Sequence, residues 1–305
     1  MFKKETALIF IAGAVIISGL ANFLNKFGLE AVGKNAYQYT GLKNIAAALI
    51  LSLVLLARPG IIAKLKAISK TDWLKLLSVG LIGGSVPFLL YFQGLSLTTA
   101  VSASFIHKTL FLWVGLLAWP LLKERATKWQ LAAFAALIAG NLIFDGFKLI
   151  GFGYPELLIL AAVLMWAVEN VIAKIILKNI DSGILAWSRM FFGSIILVGY
   201  LFLTSNLSGM FSVSASQWGW VVLVGVLLAG YNLTWYGALK KMPATVAVSA
   251  LVLASPLTAL LSAVFITHSW TFAKTEGLMI IMLAAAVMLI AEKNKKYVNG
   301  AAAAA

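Results

Sequence analysis

Long apolar runs alternate with short polar or Gly/Pro-containing breaks along almost the whole chain. A helix that crosses the hydrocarbon core of a bilayer needs about 20 mostly apolar residues. Runs of about that length occupy residues 6–26, 36–57, 73–93, 98–117, 128–144, 155–177, 184–204, 217–239, 245–267 and 276–291. The links between them are short, so successive helices are antiparallel neighbours. The pattern therefore predicts an all-α polytopic membrane protein with ten transmembrane helices.

The composition strengthens this prediction. Apolar residues make up 62% of the chain and charged residues 11%, against about 45–50% and 25% in soluble domains. A water-soluble fold of this length has no place to hide so much apolar surface. The absence of cysteine excludes a disulfide framework, a thiolate metal site and a cysteine nucleophile. We expect a protein surrounded by lipid, without a metal or cofactor.

The formal charge of +14 does not indicate a nucleic-acid partner, because the basic residues fall between apolar runs and form no binding motif. Cytoplasmic loops of membrane proteins carry an excess of Lys and Arg. One set of alternate loops has only Lys26, Lys34, Lys148 and Lys274. The other set holds Lys3, Lys4, Arg58, Lys64, Lys66, Lys70, Lys75, Lys123, Arg125, Lys128, Lys178, Lys240, Lys241, Lys293, Lys295 and Lys296. Both termini are therefore predicted to face the cytoplasm, with the protein in the cytoplasmic membrane.

The second half of the chain matches the first at a shift of roughly 144 to 148 positions, as in transporters built from repeats. Chance similarity between two apolar segments is the alternative, but the scarce polar residues are among those that coincide. The matched pairs are Asn22 with Asn170, Lys26 with Lys174, Lys43 with Arg189, Phe92 with Tyr236 and Ala100 with Ala244. An odd number of spans in each copy would invert one copy relative to the other. We predict two inverted five-helix repeats, 1–149 and 150–297, and a low-complexity tail, 298–305.

Short motifs recur at corresponding places in the two halves. Each predicted second helix begins with a basic residue ahead of a small, aliphatic or aromatic run, and each predicted fourth helix has an alanine-rich start. A proline follows in the second copy and an acidic loop in the first. These motifs comprise Lys43 with 44–49, Arg189 with 190–192, Ala100, Ala103, 123–125, 247–250 and Pro256. With them the chain resembles the EamA family of the drug/metabolite transporter superfamily, over about residues 6–291.

The resemblance implies that helices one to four and six to nine form a cavity, with helices five and ten packed outside. It also favours export of amino acids or related metabolites. The chain departs from the family pattern at Lys43, where arginine is usual, and at Leu112, which replaces the first proline. His268 and Ser269 stand at the second acidic loop position. Architecture defines this family far more than cargo does, so the substrate is not inherited with the fold.

Glu169 is the only carboxylate well inside a predicted span. A charge in the membrane is costly and marks a functional-site hypothesis whose partner must be named. Trp166 lies one turn before Glu169, Asn170 lies beside it, and Lys174 lies one turn beyond on the same face. We predict that Glu169, Asn170 and Trp166 bind the substrate. An ion pair between Glu169 and Lys174 that only holds helices together is the alternative.

Lys108 is a second charge within a predicted span, preceded by His107. The corresponding segment of the second repeat is apolar, and such asymmetry suggests cargo recognition. We predict that Lys108 and Glu169 face one cavity and bind opposite ends of a charged or zwitterionic metabolite, or exchange a proton with it. A structural Lys108–Glu169 ion pair remains open. His107 could titrate near neutral pH or simply pack against a neighbouring helix.

Lys43 and Arg189 lie a few residues inside their predicted helices, on opposite leaflets if the repeats are inverted. They are candidates for gating the two sides of the cavity. Long basic side chains near helix ends also commonly snorkel to the interface, which would make both residues structural.

Aromatic and amide side chains complete the predicted binding set: Tyr91, Tyr231 and Trp235, with Asn22 in the first helix. Tyr231 and Trp235 stand one turn apart and could form an aromatic wall for a side chain or a cationic head group. The alternative is an interfacial belt, in which Trp and Tyr are enriched.

These features favour a secondary transporter that exports a small polar metabolite by alternating access, as a monomer or homodimer, with coupling to protons or another ion left open. An importer of a small organic cation, a non-transporting scaffold and an intramembrane enzyme are the alternatives. An enzyme would need clustered carboxylates or an acid–base pair, and a passive channel would need a filter or charged ring. The sequence has none of these signals.

Overall fold

The computed structural model describes residues 2–33, 35–98, 100–145, 153–207, 210 and 213–302, and the regular elements within these residues are all helical. The helices are α1 (Phe2–Ala31), α2 (Ala36–Leu56), α3 (Ile61–Lys66), α4 (Lys70–Gly84), α5 (Val86–Leu97), α6 (Ala100–Lys108), α7 (Leu110–Leu122), α8 (Lys128–Asp145), α9 (Tyr154–Ile176), α10 (Ser182–Leu203), α11 (Ala215–Lys241), α12 (Ala244–Leu251), α13 (Ala254–Ser262) and α14 (Phe272–Ala302). A short π-helical turn, Ala263–Thr267, follows α13.

Nine helical segments within the described residues are long and apolar enough to cross a membrane. They correspond to nine of the predicted spans. The fifth predicted span forms α8, whose 18 residues include Lys128, Gln130, Asn141 and Asp145, and it is not among the nine. The protein is thus an all-helical polytopic membrane protein, while the tenth span and the cytoplasmic location of both termini stay predictions.

Three predicted spans are each divided into two helices. The third breaks at Ser85, whose hydroxyl donates to Gly80 O at 3.1 Å and Leu81 O at 3.0 Å. Pro87 follows at the start of α5, where its missing N–H removes no helical hydrogen bond. These carbonyl contacts and the proline explain why α4 does not continue into α5.

The fourth and ninth predicted spans break at corresponding places. In the ninth, α12 ends at Leu251 and α13 begins at Ala254, because the ring of Pro256 excludes the helical position of the carbonyl four residues earlier. The fourth has no proline there. It breaks at Thr109, whose hydroxyl donates to Ile106 O at 2.6 Å, a back-bond of the kind that bends helices.

The packing partners of the helices form a symmetric pattern. The first span (α1) packs on the eighth (α11), and the third (α5) on the sixth (α9). Likewise α2 packs on α11 and α4 on α10, while α1 packs on α13 and α7 on α9. The pairs α2–α10 and α8–α14 join the halves directly. Exchanging the two halves leaves this set of pairings unchanged, as two repeats would require; their inverted orientation stays a prediction.

The backbones of α4 and α10 approach each other closely. A Cβ atom added to Gly84 would lie 2.2 Å from Arg189 O, and one added to Gly193 would lie 2.5 Å from Gly84 O. Glycine is therefore required at both positions. This contact brings the break between α4 and α5 against the part of α10 that carries the buried Arg189.

Some predicted features fall outside the described residues. These are the boundary between residues 149 and 150, the basic residues Lys34 and Lys148, and the last three residues of the predicted tail. The first part of that tail, 298–302, continues α14 as a helix.

Candidate functional site

Glu169 lies on α9 and is fully buried. The phenol of Tyr236 donates to its Oε1 at 2.5 Å. Its second oxygen, Oε2, has no hydrogen-bond partner among the described residues. A buried carboxylate with only one of its oxygens hydrogen-bonded is unusual in folded proteins, so this oxygen is available to a further donor.

Arg189 approaches the same place from α10, with 7% of its surface exposed. Its Nη1 donates to Asn232 Oδ1 at 3.2 Å and its Nη2 to Gly83 O at 3.0 Å. Its Nε lacks a hydrogen-bond partner among the described residues, and its Cζ lies 5.9 Å from the ring centroid of Tyr236. The guanidinium is thus held by an amide and an unwound carbonyl, with one donor left unused.

Both charged side chains lie against Gly83. A Cβ atom built on Gly83 would lie 2.5 Å from Glu169 Cγ and 3.2 Å from Arg189 Nε. The ion pairs within 4 Å that occur among the described residues do not include Glu169 or Arg189. A carboxylate oxygen and a guanidinium N–H, each without a hydrogen-bond partner among these residues, therefore belong to side chains that meet at this glycine, next to the break between α4 and α5.

A chain of amide and aromatic side chains extends this cluster. Trp166 Nε1 donates to Gly83 O at 3.1 Å, and Asn170 Nδ2 donates to Trp166 O at 2.8 Å. Trp235 Nε1 donates in turn to Asn170 Oδ1 at 3.1 Å. The rings of Tyr231 and Trp235 stack with centroids 6.2 Å apart and planes at 9°. Trp235 is only 1% exposed, so this aromatic pair is part of the interior and not of a surface belt.

His107 packs in an aromatic cluster. Its ring centroid lies 5.3 Å from that of Trp166 and 5.5 Å from that of Tyr91. Tyr91 and Phe88 also contact Trp166, at 5.6 and 5.4 Å between centroids. The structure therefore brings together three side chains that the sequence suggested as ligands or packing residues, Tyr91, His107 and Trp166.

Lys43 is also buried, with 5% of its surface exposed. Its Nζ donates to Asn25 Oδ1 at 3.2 Å, and the phenol of Tyr39 donates to the same oxygen at 2.7 Å. The ring centroids of Tyr39, Phe92 and Phe88 lie 5.1, 5.1 and 5.8 Å from Nζ. The ammonium group is thus surrounded by three rings and one amide, away from the ends of α2.

The model of the EamA-like transporter family matches residues 5–144 and, a second time, residues 153–290. The chain belongs to the EamA-like transporter family. It is similar to the "Uncharacterized transporter YetK" of Bacillus subtilis (strain 168), with 23% identity over 256 residues that cover 80% of this chain and 74% of that protein. A solved structure described as "Crystal structure of protein" has the same fold, with a TM-score of 0.76 at 19% identity over 95% of this chain and 98% of the other.

The resemblance to this family found in the sequence is thus confirmed, and the protein is a multi-pass membrane protein of a transporter family. The two family matches also allow the contacts of Lys43 and Arg189 to be compared between the two copies. Lys43 contacts the rings of Phe88 and Phe92, whereas Arg189 contacts Asn232 and the ring of Tyr236. Residues 88 and 92 precede 232 and 236 by roughly 144 positions, which is the repeat spacing. Each basic residue therefore contacts the same two positions of a neighbouring helix in its own copy.

Lys108 forms an ion pair in this EamA-like fold that the sequence did not suggest. Its Nζ donates to both carboxylate oxygens of Asp145, each at 2.9 Å. The Lys108–Glu169 ion pair considered from the sequence is therefore not formed, because the ammonium group of Lys108 pairs with the carboxylate at the end of α8. The fifth span predicted from the sequence ends at residue 144 and so does not include Asp145. Lys174 donates to Leu239 O and Met242 O, both at 2.6 Å.

Asn22 is exposed on α1, and Asn25 on the same helix is the residue that reaches Lys43. Sequence reasoning did not select Asn25, Asn232 or Tyr236 as site residues. A usable signal existed for the last two, since Asn232 and Tyr236 are one turn apart in an apolar span, where polar residues are costly. No three His, Asp or Glu side chains of the described residues converge into a potential metal site.

Proposed function

We propose that this protein is a secondary transporter that moves a small polar metabolite, such as an amino acid or a related zwitterion, across the cytoplasmic membrane by alternating access, in the direction of export. The observation that carries the proposal is the pair Glu169 and Arg189, whose side chains meet at Gly83 and leave one acceptor and one donor unused among the described residues. The direction and the alternating-access mechanism come from the family resemblance.

The energetics of buried charge support a ligand at this place. Ionised groups in membrane spans are costly, and those that persist face a cavity or mark a pathway. A purely structural role would favour a close ion pair with all hydrogen bonds made. Glu169 and Arg189 instead retain unused atoms that suit a solute with both donors and acceptors.

The broken helix beside these charges also supports transport. Binding sites of repeat-built transporters commonly use discontinuous helices near the bilayer midplane, whose unwound carbonyls meet ligands or side chains. Here Gly83 O accepts from Trp166 and Arg189, and Gly84 O accepts from Asn44 Nδ2 at 3.2 Å. Side chains from three other helices therefore converge on one break between α4 and α5.

Contacts at the side predicted to be cytoplasmic support a conformation that is closed there. The carboxylate of Glu124 accepts from Ala244 N at 2.9 Å, Thr245 N at 3.1 Å and Thr245 Oγ1 at 2.9 Å. This joins the α7–α8 loop of the first half to the start of α12 in the second. Arg58 pairs with Asp181 at 3.1 Å, also across the halves. In alternating access these contacts would separate when the site opens to the cytoplasm.

A proteoliposome flux assay tests the proposal. Labelled amino acids, carboxylates and amines are offered to the wild type and to Glu169→Gln and Arg189→Met. Glu276→Gln removes an exposed carboxylate and is the matched control. We expect saturable flux in the wild type and the control, and a loss of at least about a hundredfold in both site variants, since one lost charge-assisted contact is worth about 1.5–3 kcal/mol and strands its partner.

Folding of each variant is checked by gel filtration and thermal unfolding before flux is compared. Undiminished flux in well-folded Glu169→Gln and Arg189→Met would show that the cluster is structural. Absence of saturable flux for every solute in the wild type would reject the transporter proposal for these solute classes and favour a scaffold or enzyme.

A further inference from the structure

We propose that Lys43 binds a carboxylate of the transported solute, so that the solute class is carboxylate-bearing metabolites and not organic cations. The inference rests on the proposed transport function and names the residue and the chemical group that the solute must supply. It also differs from the sequence-based hypothesis, in which Lys108 was the cationic ligand.

The first argument is that the ammonium group of Lys43 is incompletely satisfied. An ammonium group has three N–H donors and no acceptor. The described structure supplies one hydrogen-bond acceptor, Asn25 Oδ1, and this oxygen also accepts from Tyr39. The ion pairs among the described side chains do not include Lys43. The attraction of the three aromatic rings for the cation is small beside the cost of removing an ammonium ion from water.

Second, the charges around the break between α4 and α5 are not balanced. Lys43 and Arg189 are cations, and Glu169 is the carboxylate that lies with Arg189 against Gly83. Of the other buried charged side chains, Lys108 pairs with Asp145, and Glu156 lies at the start of α9, where Thr98 Oγ1 and Gly153 N donate to it. The described site therefore carries an excess of positive charge. An added organic cation would increase that excess, whereas an added carboxylate would compensate it.

The third argument comes from the two copies of the repeat. Arg189 contacts Asn232 and Tyr236, and Tyr236 in turn donates to Glu169. The corresponding positions around Lys43 are phenylalanines, which provide ring faces and no acceptor. The second copy contains its own anion, and the first copy does not. Lys43 therefore has no anion beside it among the described contacts, and the carboxylate of the solute would supply one.

The two charged regions are close enough in the fold to belong to one binding site. Phe88 contacts both Lys43 and the ring of Trp166, and Trp166 donates to Gly83 O beside Glu169. Both regions thus lie along the broken segment between α4 and α5. A zwitterion can place its carboxylate at Lys43 and its ammonium group at the unused Oε2 of Glu169.

The decisive comparison is between solutes that differ only in the carboxylate. The probes are L-leucine against L-leucinamide, L-phenylalanine against L-phenylalaninamide, and succinate against succinamide. Exchange of each labelled probe is measured in proteoliposomes with the wild type, Lys43→Met and Lys43→Arg. Lys274→Met removes a lysine that packs on Trp270, away from the site, and serves as the matched control.

We expect the wild type and Lys274→Met to prefer at least one acid over its amide by tenfold or more. Lys43→Met should lose that preference through slower transport of the acid, and Lys43→Arg should keep most of it because the cation is retained. A second measurement needs no variant: the acid, and not its amide, should raise the thermal unfolding temperature of the purified wild type.

The outcomes separate the two proposals. Saturable wild-type transport with no preference for the acid, or a preference that survives in Lys43→Met, overturns the Lys43 assignment and leaves the transport function standing. Saturable transport of amines alone has the same effect. If the wild type transports none of the probes and is also not stabilised by any of the acids, both proposals are overturned.

Discussion

Two sets of buried charged side chains in this protein are satisfied in different ways. Lys108 and Asp145 form a closed pair with two hydrogen bonds of 2.9 Å. Glu169 accepts a hydrogen bond from a phenol, and Arg189 donates to an amide oxygen and a backbone carbonyl. Glu169 Oε2 and Arg189 Nε have no hydrogen-bond partner among the described residues. The comparison suggests that incomplete pairing, more than burial of charge alone, distinguishes a ligand site from a structural contact.

The strongest way to test this comparison is to break the closed pair. Lys108→Met leaves Asp145 without its cation in an environment where both side chains are at most 18% exposed. Removing one partner of a buried ion pair costs about 3–5 kcal/mol. We therefore expect a clear fall in the thermal unfolding temperature, with flux per folded molecule within about threefold of the wild type. Thermal unfolding and proteoliposome flux measure the two effects.

The matched control is the double variant Lys108→Met with Asp145→Asn, which removes both charges. Since no unpaired charge then remains, it should recover at least half of the lost stability. The opposite result, in which Lys108→Met has normal stability but loses flux, would support the sequence-based hypothesis that Lys108 binds the solute.

A second test concerns the backbone contact that sets the geometry of the open cluster. Gly193→Ala would place a Cβ atom 2.5 Å from Gly84 O, whereas a Cβ atom on Gly199 of the same helix has no heavy atom within 4 Å. Overpacking costs about 1–3 kcal/mol, and Gly→Ala at a compatible site gains about 0.4–1 kcal/mol. We expect Gly193→Ala to lower the unfolding temperature and Gly199→Ala to leave it unchanged or raise it. Equal behaviour of the two variants would contradict the α4–α10 contact.

The sequence predicted the all-helical membrane fold and nine of its candidate spans because apolar run length acts locally. It did not predict the breaks at Ser85 and Thr109, which depend on hydroxyl back-bonds to particular carbonyls. The pattern singled out Glu169 and Lys108 as charges that bind the solute, and Lys43 and Arg189 as gating or structural charges. The sequence did not predict the partners of these charged residues. The position of Lys108 or Asn22 along the chain does not reveal which face of its helix meets a neighbouring helix.

Part of the candidate site consists of residues that the sequence singled out. Trp166, Asn170 and Trp235 are linked by hydrogen bonds, and they lie on the same two helices as Glu169 and Tyr236. The pairing of Lys108 with Asp145 depends on where α8 ends, and element boundaries are the least certain product of pattern reasoning. Because the predicted end was one residue too early, the prediction left out the carboxylate of Asp145, which pairs with Lys108.

The smallest expected effect concerns the contact of Glu124 with the start of α12. Glu124→Gln keeps the size of the side chain and weakens three hydrogen bonds that now involve a charged acceptor. Such bonds contribute about 1.5–3 kcal/mol when charged and about half that when neutral. The conformation closed at this side should lose population to one that is open there. We expect a few-fold change in flux with little change in unfolding temperature, and no loss of the preference for acids.

The chain has no cysteine, so one introduced thiol reports this equilibrium without background. Ser249→Cys places the thiol on α12, at a position that is fully buried in the closed conformation. Its labelling by a small maleimide should accelerate by threefold or more when Glu124→Gln is added. The matched control is Glu276→Gln in the same Ser249→Cys background, which should leave the rate unchanged. Equal rates in all three proteins would mean that the Glu124 contact does not hold this side closed, since a contact that restrains the opening must change access to the residues behind it.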